Sequence, residues 1–216
     1  PILSTIFDLW KMKRLSLKLH KQESFKLIHC RSYISSIVGL YFKQKHFIPF
    51  LFDMRGFWAD ERVDGNLWNI KNPIFNFVYN YFKKKEIQFL KQSCTTISLT
   101  HAGKNEIEKW NKNNIQFSPI KVIPCCTDLE HFKKVDRAND NVNLGYIGSL
   151  GTWYLLDEML SFFKVYQKSF PTAKFHFLTK DKPNLIIEKA TQQQINKDLL
   201  IIEEVKRIEI IQKVKD

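Results

Sequence analysis

The sequence is short of acids. It holds 22 Asp and Glu against 34 Lys and Arg, a formal net charge of +12. Such an excess favours anionic partners, whether nucleic acid, acidic lipid or phosphorylated substrate. A chain this rich in Lys, Asn, Ile and Phe also carries such a charge as a compositional habit. Long hydrophobic runs are missing: no stretch of about 18 apolar residues occurs, so no transmembrane helix is expected. Pro1 to Trp10 lacks the basic flank of a signal peptide. The four cysteines, Cys30, Cys94, Cys125 and Cys126, make no CxxC pair, and no histidine cluster completes a zinc set, so no metal site is expected. Cys30 and Cys94 lie in apolar, strand-like runs and read as buried free thiols of a reducing compartment. Also absent are the GxGxxG fingerprint, a P-loop, internal repeats and low-complexity segments. No motif asks for nucleic acid.

What is present is ordinary for a globular protein: 216 residues, 44% hydrophobic and 26% charged. Short apolar runs alternate with helical patterns. Strands are expected at Phe25–Cys30, Phe47–Met54, Thr95–Thr100 and Lys121–Pro124. Helices are expected at Phe7–Lys21, Ser32–Lys45, Lys71–Gln92 and Gly103–Asn113. Residues 133–141 are polar and read as a linker. The alternation then restarts with strands at Asn143–Ile147, Ala173–Thr179 and Leu199–Ile202. A helix carries Leu155, Met159, Phe162, Phe163 and Tyr166, a second starts at Pro183, and a short last one lies within Glu204–Asp216. The fold class is α/β, with parallel sheets and helices on both faces. Two Rossmann-like units, 1–138 and 139–216, are expected, both incomplete.

Two basic clusters stand out: Lys11, Lys13, Arg14, Lys18 and Lys21 on the first helix, and Lys83, Lys84 and Lys85 on an aromatic-rich one. Both fit peripheral contact with an anionic membrane, and both fit a solvated helix face.

The candidate sites sit at strand ends, where open α/β sheets bind ligands. Asp53-Met54-Arg55-Gly56-Phe57-Trp58-Ala59-Asp60-Glu61-Arg62 is dense in charge and aromatics. Arg55 and Arg62 suit carboxylate or phosphate, and Phe57 and Trp58 suit stacking on a sugar or base. The competing reading is an internal ion-pair network between these arginines and Asp53, Asp60 or Glu61. His29-Cys30-Arg31-Ser32 offers an anion-binding Arg31 beside a histidine that suits a structural role as well. His101, after another strand, caps a loop or touches substrate. Cys125-Cys126 reads as a buried turn or a redox pair. Gly148-Ser149-Leu150-Gly151-Thr152 lies between a strand and a helix, where backbone N–H groups meet phosphate.

Taken in order, His29-Cys30-Arg31-Ser32, Phe52–Glu61, Ser98–Ala102, Val122–Asp128 and Tyr146–Tyr154 resemble a bacterial branch of the family-4 glycosyltransferases. The resemblance covers nearly the whole chain. It implies a GT-B fold, with an acceptor-binding N-terminal domain and a nucleotide-sugar-binding C-terminal domain. It implies a retaining transfer from a nucleotide-sugar donor to a glycan or lipid-linked acceptor in cell-surface polysaccharide biosynthesis. The nucleotide sugar is substrate, with no cofactor and no metal, and the location is cytoplasmic or on the cytoplasmic membrane face. On this reading Arg55 and Asp53 are catalytic candidates. His29, Arg31, Trp58, Asp60, Glu61, Arg62 and His101 line the acceptor side, and Gly148, Ser149, Leu150, Gly151 and Thr152 approach the donor phosphates by stabilising the leaving group. The alternatives are a GT-B nucleotide-sugar epimerase and a non-catalytic glycan- or nucleotide-binding module. The chain departs from the family where many members have histidine (here Arg55) and Asn-Gly (here Cys125-Cys126). No phosphate-gripping Arg and Lys follow Gly148-Ser149. The N-terminal glycine-rich loop is missing, and Glu203, Glu204 and Glu209 do not match the paired-glutamate motif, so the chain is expected to be a fragment with little activity alone.

Overall fold

The computed structural model describes residues 2–110, 116–133, 142–151 and 154–214. The chain divides into two compact units, residues up to Cys126 and from Thr127 onward. The break expected at residue 138 lies outside the described residues.

Unit 1 runs α1 (Ile2–Glu23), β1 (Ile28–Arg31), α2 (Ser32–His46), β2 (Phe50–Asp53), α3 (Trp58–Asp64), α4 (Pro73–Gln92), β3 (Thr95–Ser98), α5 (His101–Lys109) and β4 (Ile120–Val122). All strand pairings are parallel, in the order β1-β2-β3-β4. Each crossover therefore steps the same way. Right-handed crossovers then place the connecting helices on one face, not on both as the alternation suggested. The core agrees. Phe50 and Phe52 on β2 are fully buried with Tyr33 and Leu40 of α2, Phe89 and Leu90 of α4, and Ile107 of α5. Phe52 and Phe89 rings lie 5.2 Å apart. His29, Arg31, Leu51, Asp53 and Ile97 alternate onto the opposite face.

Local chemistry sets the helix starts. Asn72 caps α4, accepting from the Ile74 N–H at 2.9 Å, with Pro73 in the first turn. Thr100 caps α5, its hydroxyl accepting from the Gly103 N–H at 3.0 Å. Gly39 lets α2 sit against the sheet: a Cβ there would run into Cys30 Sγ and the Phe50 ring. Cys30 is buried, as expected, but Cys94 is exposed, because it precedes β3 instead of lying within it.

Unit 2 runs β5 (Leu144–Ile147), α6 (Leu156–Tyr166), β6 (Phe175–Leu178), α7 (Pro183–Gln192), β7 (Leu200–Glu203) and α8 (Ile210–Lys213). Its sheet is parallel, ordered β5-β6-β7. Leu160 and Phe163 of α6, Phe175 and Phe177 of β6, and Ile186 and Ala190 of α7 form its core.

Candidate functional site

Parallel strands that end together expose their last residues on one rim. In unit 1 that rim holds Arg31-Ser32, Asp53 to Gly56 and Ser98 to Thr100. Two non-glycine residues there adopt left-handed backbone, Ser32 at φ 66° and Arg55 at φ 65°. Such conformations cost of order 1–3 kcal/mol and persist only where surroundings fix them. At Arg55 the backbone is held on both sides. The Met54 N–H donates to the Ile97 carbonyl at 3.1 Å, and the Gly56 carbonyl accepts from the Tyr33 hydroxyl at 3.4 Å. The turn borders a cavity of about 420 Å³, lined among others by Arg55, Phe57, Glu61, Ser98 and Thr100. Gly56 makes room for Glu61, whose carboxylate lies where a Cβ would stand.

Beside this cavity Asp53 closes β2. It is 8% exposed. Its Oδ2 lies 3.4 Å from His29 Nε2, and its buried Oδ1 has no hydrogen-bond partner. His29 itself is largely exposed. Arg31 faces Asp53 in the β1–β2 register and is exposed. His29, Arg31 and Asp53 thus form one group, and Arg55 and Glu61 another on the adjoining cavity.

The rest of the predicted stretch turns inward. Trp58 to Asp64 is the short helix α3, where a loop was expected. The Trp58 ring packs on Tyr33 at 5.7 Å, Trp68 at 5.2 Å and Phe82 at 4.8 Å. Arg62 lies over Trp58 at 5.2 Å. Asp60 pairs with neither arginine. It accepts from Lys83 at 2.8 Å and from the Tyr79 hydroxyl at 2.8 Å. Lys83 also contacts Glu86 at 2.6 Å, and Glu86, fully buried, accepts from the Tyr33 hydroxyl. Burial pushes the Glu86 carboxyl up, against the lowering effect of Lys83 and Tyr33. Burial, then the Glu86 charge, pushes the Tyr33 phenol far up. The hydrogen bonds and charges of Asp60 and Glu86 outweigh burial at Lys83 and raise its ammonium. This network buttresses the Gly56 turn from behind. Sequence reading missed it, although an acid in an otherwise acid-free helix was its one local sign. His101 opens α5, exposed and off the cavity lining. Cys125 and Cys126 are exposed, where a buried turn was one expectation.

In unit 2, Gly148 follows β5 with φ 150°. Its N–H donates to the Leu178 carbonyl at 3.1 Å. The Leu150 N–H donates to Asp181, and the Gly151 N–H to Ser149 Oγ at 3.3 Å. These loop donors already have protein partners, and α6 begins only at Leu156. Thr152 lies outside the described residues. A second opening, which sequence reading did not locate, lies past β6 and β7. It measures about 520 Å³ and is lined by Lys180, Glu204, Val205, Lys206, Arg207 and Ile210, among others. Three of these are cationic. Lys180 pairs with Glu204 at 3.8 Å. Of the basic clusters, α1 stacks Lys11 over Phe7 at 4.3 Å and Lys13 over Tyr41 at 3.6 Å. Among the described residues no helix is long and apolar enough to cross a membrane.

No protein-family model and no curated protein sequence matches the chain. Solved structures do. A sucrose-phosphate synthase from Thermosynechococcus elongatus aligns with 96% of the chain and 52% of its own length, at 14% identity and TM-score 0.74. A putative UDP-N-acetylglucosamine 2-epimerase from Listeria monocytogenes aligns with 95% of the chain and 53% of its own, at 13% identity and TM-score 0.53. S. aureus MnaA, in a co-structure with UDP, aligns with 97% of the chain and 54% of its own, at 9% identity and TM-score 0.51. The chain thus consists of two Rossmann-like α/β units of the GT-B type, and spans about half the length of the structures it matches.

Proposed function

We propose that the chain belongs to a retaining glycosyltransferase that moves a sugar from a nucleotide-sugar donor to a glycan or lipid-linked acceptor. The work is done at the cytoplasmic face of a membrane, without metal. The acceptor enters the rim of unit 1. There Asp53 Oδ1, buried and unpartnered, accepts a hydrogen bond from an acceptor hydroxyl while His29 steadies Oδ2. Arg55, poised by its strained turn, supplies positive charge beside the transferring group. In unit 2 the nucleotide takes the opening beside Lys180, Lys206 and Arg207, and the loop from Gly148 to Gly151 faces its diphosphate. The boundary between acceptor and donor domains is placed near residue 138.

The observation that favours transfer over epimerisation is the fold comparison: the synthase aligns at TM-score 0.74 and the putative epimerase at 0.53. The test is a titration of the chain with nucleoside diphosphates, followed by product analysis with the matching nucleotide sugar. Binding at micromolar to millimolar Kd, about −8 to −4 kcal/mol, is expected, weakened at least tenfold in Arg207→Ala. Turnover by these residues alone is expected to be negligible, and transfer is expected once the rest of a GT-B partner half is supplied. Binding of no diphosphate sinks the donor assignment. Conversion of the donor sugar to its epimer, without transfer, supports the epimerase instead.

A further inference from the structure

The outer surface of α4 and the turn before it has a chemistry that the transfer reaction does not use. Leu67 is 42% exposed, Ile70 47%, Ile74 62%, Phe77 73% and Tyr81 39%. Ile74, Phe77 and Tyr81 follow one another at the spacing of a single helix stripe. Lys84 and Lys85 continue that stripe, and Lys85 lies over the Tyr81 ring at 5.7 Å. From Gly65 to Gln92 the only acid is Glu86, and it is fully buried against Tyr33. Lys83 turns inward to Asp60 and Glu86. The outward charge of the segment is therefore positive only, from Lys71, Lys84, Lys85 and Lys91.

We infer that this face of α4 is a docking surface for an anionic lipid bilayer. Exposed Ile, Phe and Tyr enter the headgroup boundary, and the lysines beside them meet acidic headgroups. A protein partner fits less well, because a stable protein interface depletes lysine from its centre, whereas here the aromatic and the lysine positions share one stripe. Because α4 starts on the strand-end side of unit 1, docking holds the rim near the membrane surface. The inference deepens the lipid-linked acceptor reading and rests on it for purpose alone. Vesicle binding is read without turnover, so either idea fails independently of the other.

The test is co-flotation of the chain with vesicles of phosphatidylcholine alone and of phosphatidylcholine mixed with phosphatidylglycerol. Binding only to the mixed vesicles is expected, weakening as salt rises. Each lysine near such a surface is worth about a fivefold change in affinity, so Lys84→Glu with Lys85→Glu lowers binding by roughly 25-fold or more. Phe77→Asp abolishes binding at unchanged circular dichroism, since the side chain is exposed. The same charge change at Lys168 and Lys174, exposed in unit 2, leaves affinity within about twofold. Equal losses from both charge pairs would reduce the effect to net charge and overturn the inference. Failure of the native chain to bind mixed vesicles overturns it too. So does a Phe77→Asp variant that binds vesicles normally while a dimer of the native chain becomes monomer, which marks a contact between copies.

Discussion

Glu86 is the residue whose environment most departs from its ordinary chemistry. It is buried, yet held by one ammonium and one phenol. Its carboxyl titrates above the ordinary 4.5 because the loss of water outweighs Lys83 and Tyr33. The folded state therefore binds the proton more tightly than the unfolded chain. Its contribution to stability is full below pH 4.5 and is lost as pH rises toward the folded value. Glu86→Gln keeps an acceptor for Tyr33 and removes the buried charge, so at neutral pH it costs less than about 1 kcal/mol. Glu86→Leu leaves the Tyr33 hydroxyl only its long 3.4 Å contact to the Gly56 carbonyl and costs about 1–3 kcal/mol. Urea unfolding across pH 4–8 checks both. Stability of the native chain relative to Glu86→Gln is expected to improve as the pH falls, and a difference that grows with rising pH would refute the assignment. None of this was legible in the sequence. Tyr33 and Glu86 are 53 positions apart, and only the packing of α2 on α4 joins them. The place of Asp53 and Arg55 on the strand-end rim was legible, because a strand ending in charge declares its rim without tertiary knowledge. Trp58 shows the opposite case: its ring suited a sugar in the sequence and an aromatic cluster in the fold.

At the scale of elements, strands and long helices were readable because buried apolar runs and 3.6-residue periods survive tertiary context. The strand runs read longer than the strands, since flanking apolar residues such as Ile48 are buried under α2 without joining the ladder. The helix α3 was missed: it is short, and its N-cap, Phe57, offers no side-chain hydrogen bond. Strand order was not readable, as both one-faced and two-faced windings produce the same alternation. The closeness of α2 to β1 and β2 gives this element a sharp test at Gly39. Alanine there gains about 1 kcal/mol of helix propensity. It also drives a methyl group into Cys30 Sγ and the Phe50 ring, both fully buried, and overpacking costs about 1–3 kcal/mol. The collision prevails because neither neighbour has a free direction to move. Gly39→Ala is expected to lower the melting temperature by about 2–8 °C. A rise would show that α2 slides freely on the sheet.

For the whole molecule, the decisive fact is that each unit has its own sheet and its own buried cluster. A ligand that meets only unit 2 stabilises only the structure it touches. Hydrogen exchange with and without a nucleoside diphosphate separates the two roles. Slowed exchange is expected at Thr179 to Asp181 and Glu203 to Ile210, with Asp53 to Glu61 unchanged. Asp181 makes the prediction sharper. Its carboxylate occupies the Leu150 N–H, placing negative charge in the loop proposed to face the diphosphate. A like charge about 4 Å away costs about 1 kcal/mol in water, so Asp181→Asn is expected to bind the diphosphate roughly fivefold more tightly. That variant keeps an oxygen acceptor for Leu150, so a loss of affinity cannot be blamed on an orphaned donor. If Asp181→Asn instead weakens binding, the carboxylate acts by holding the loop in its binding shape, and its charge does not repel the phosphates.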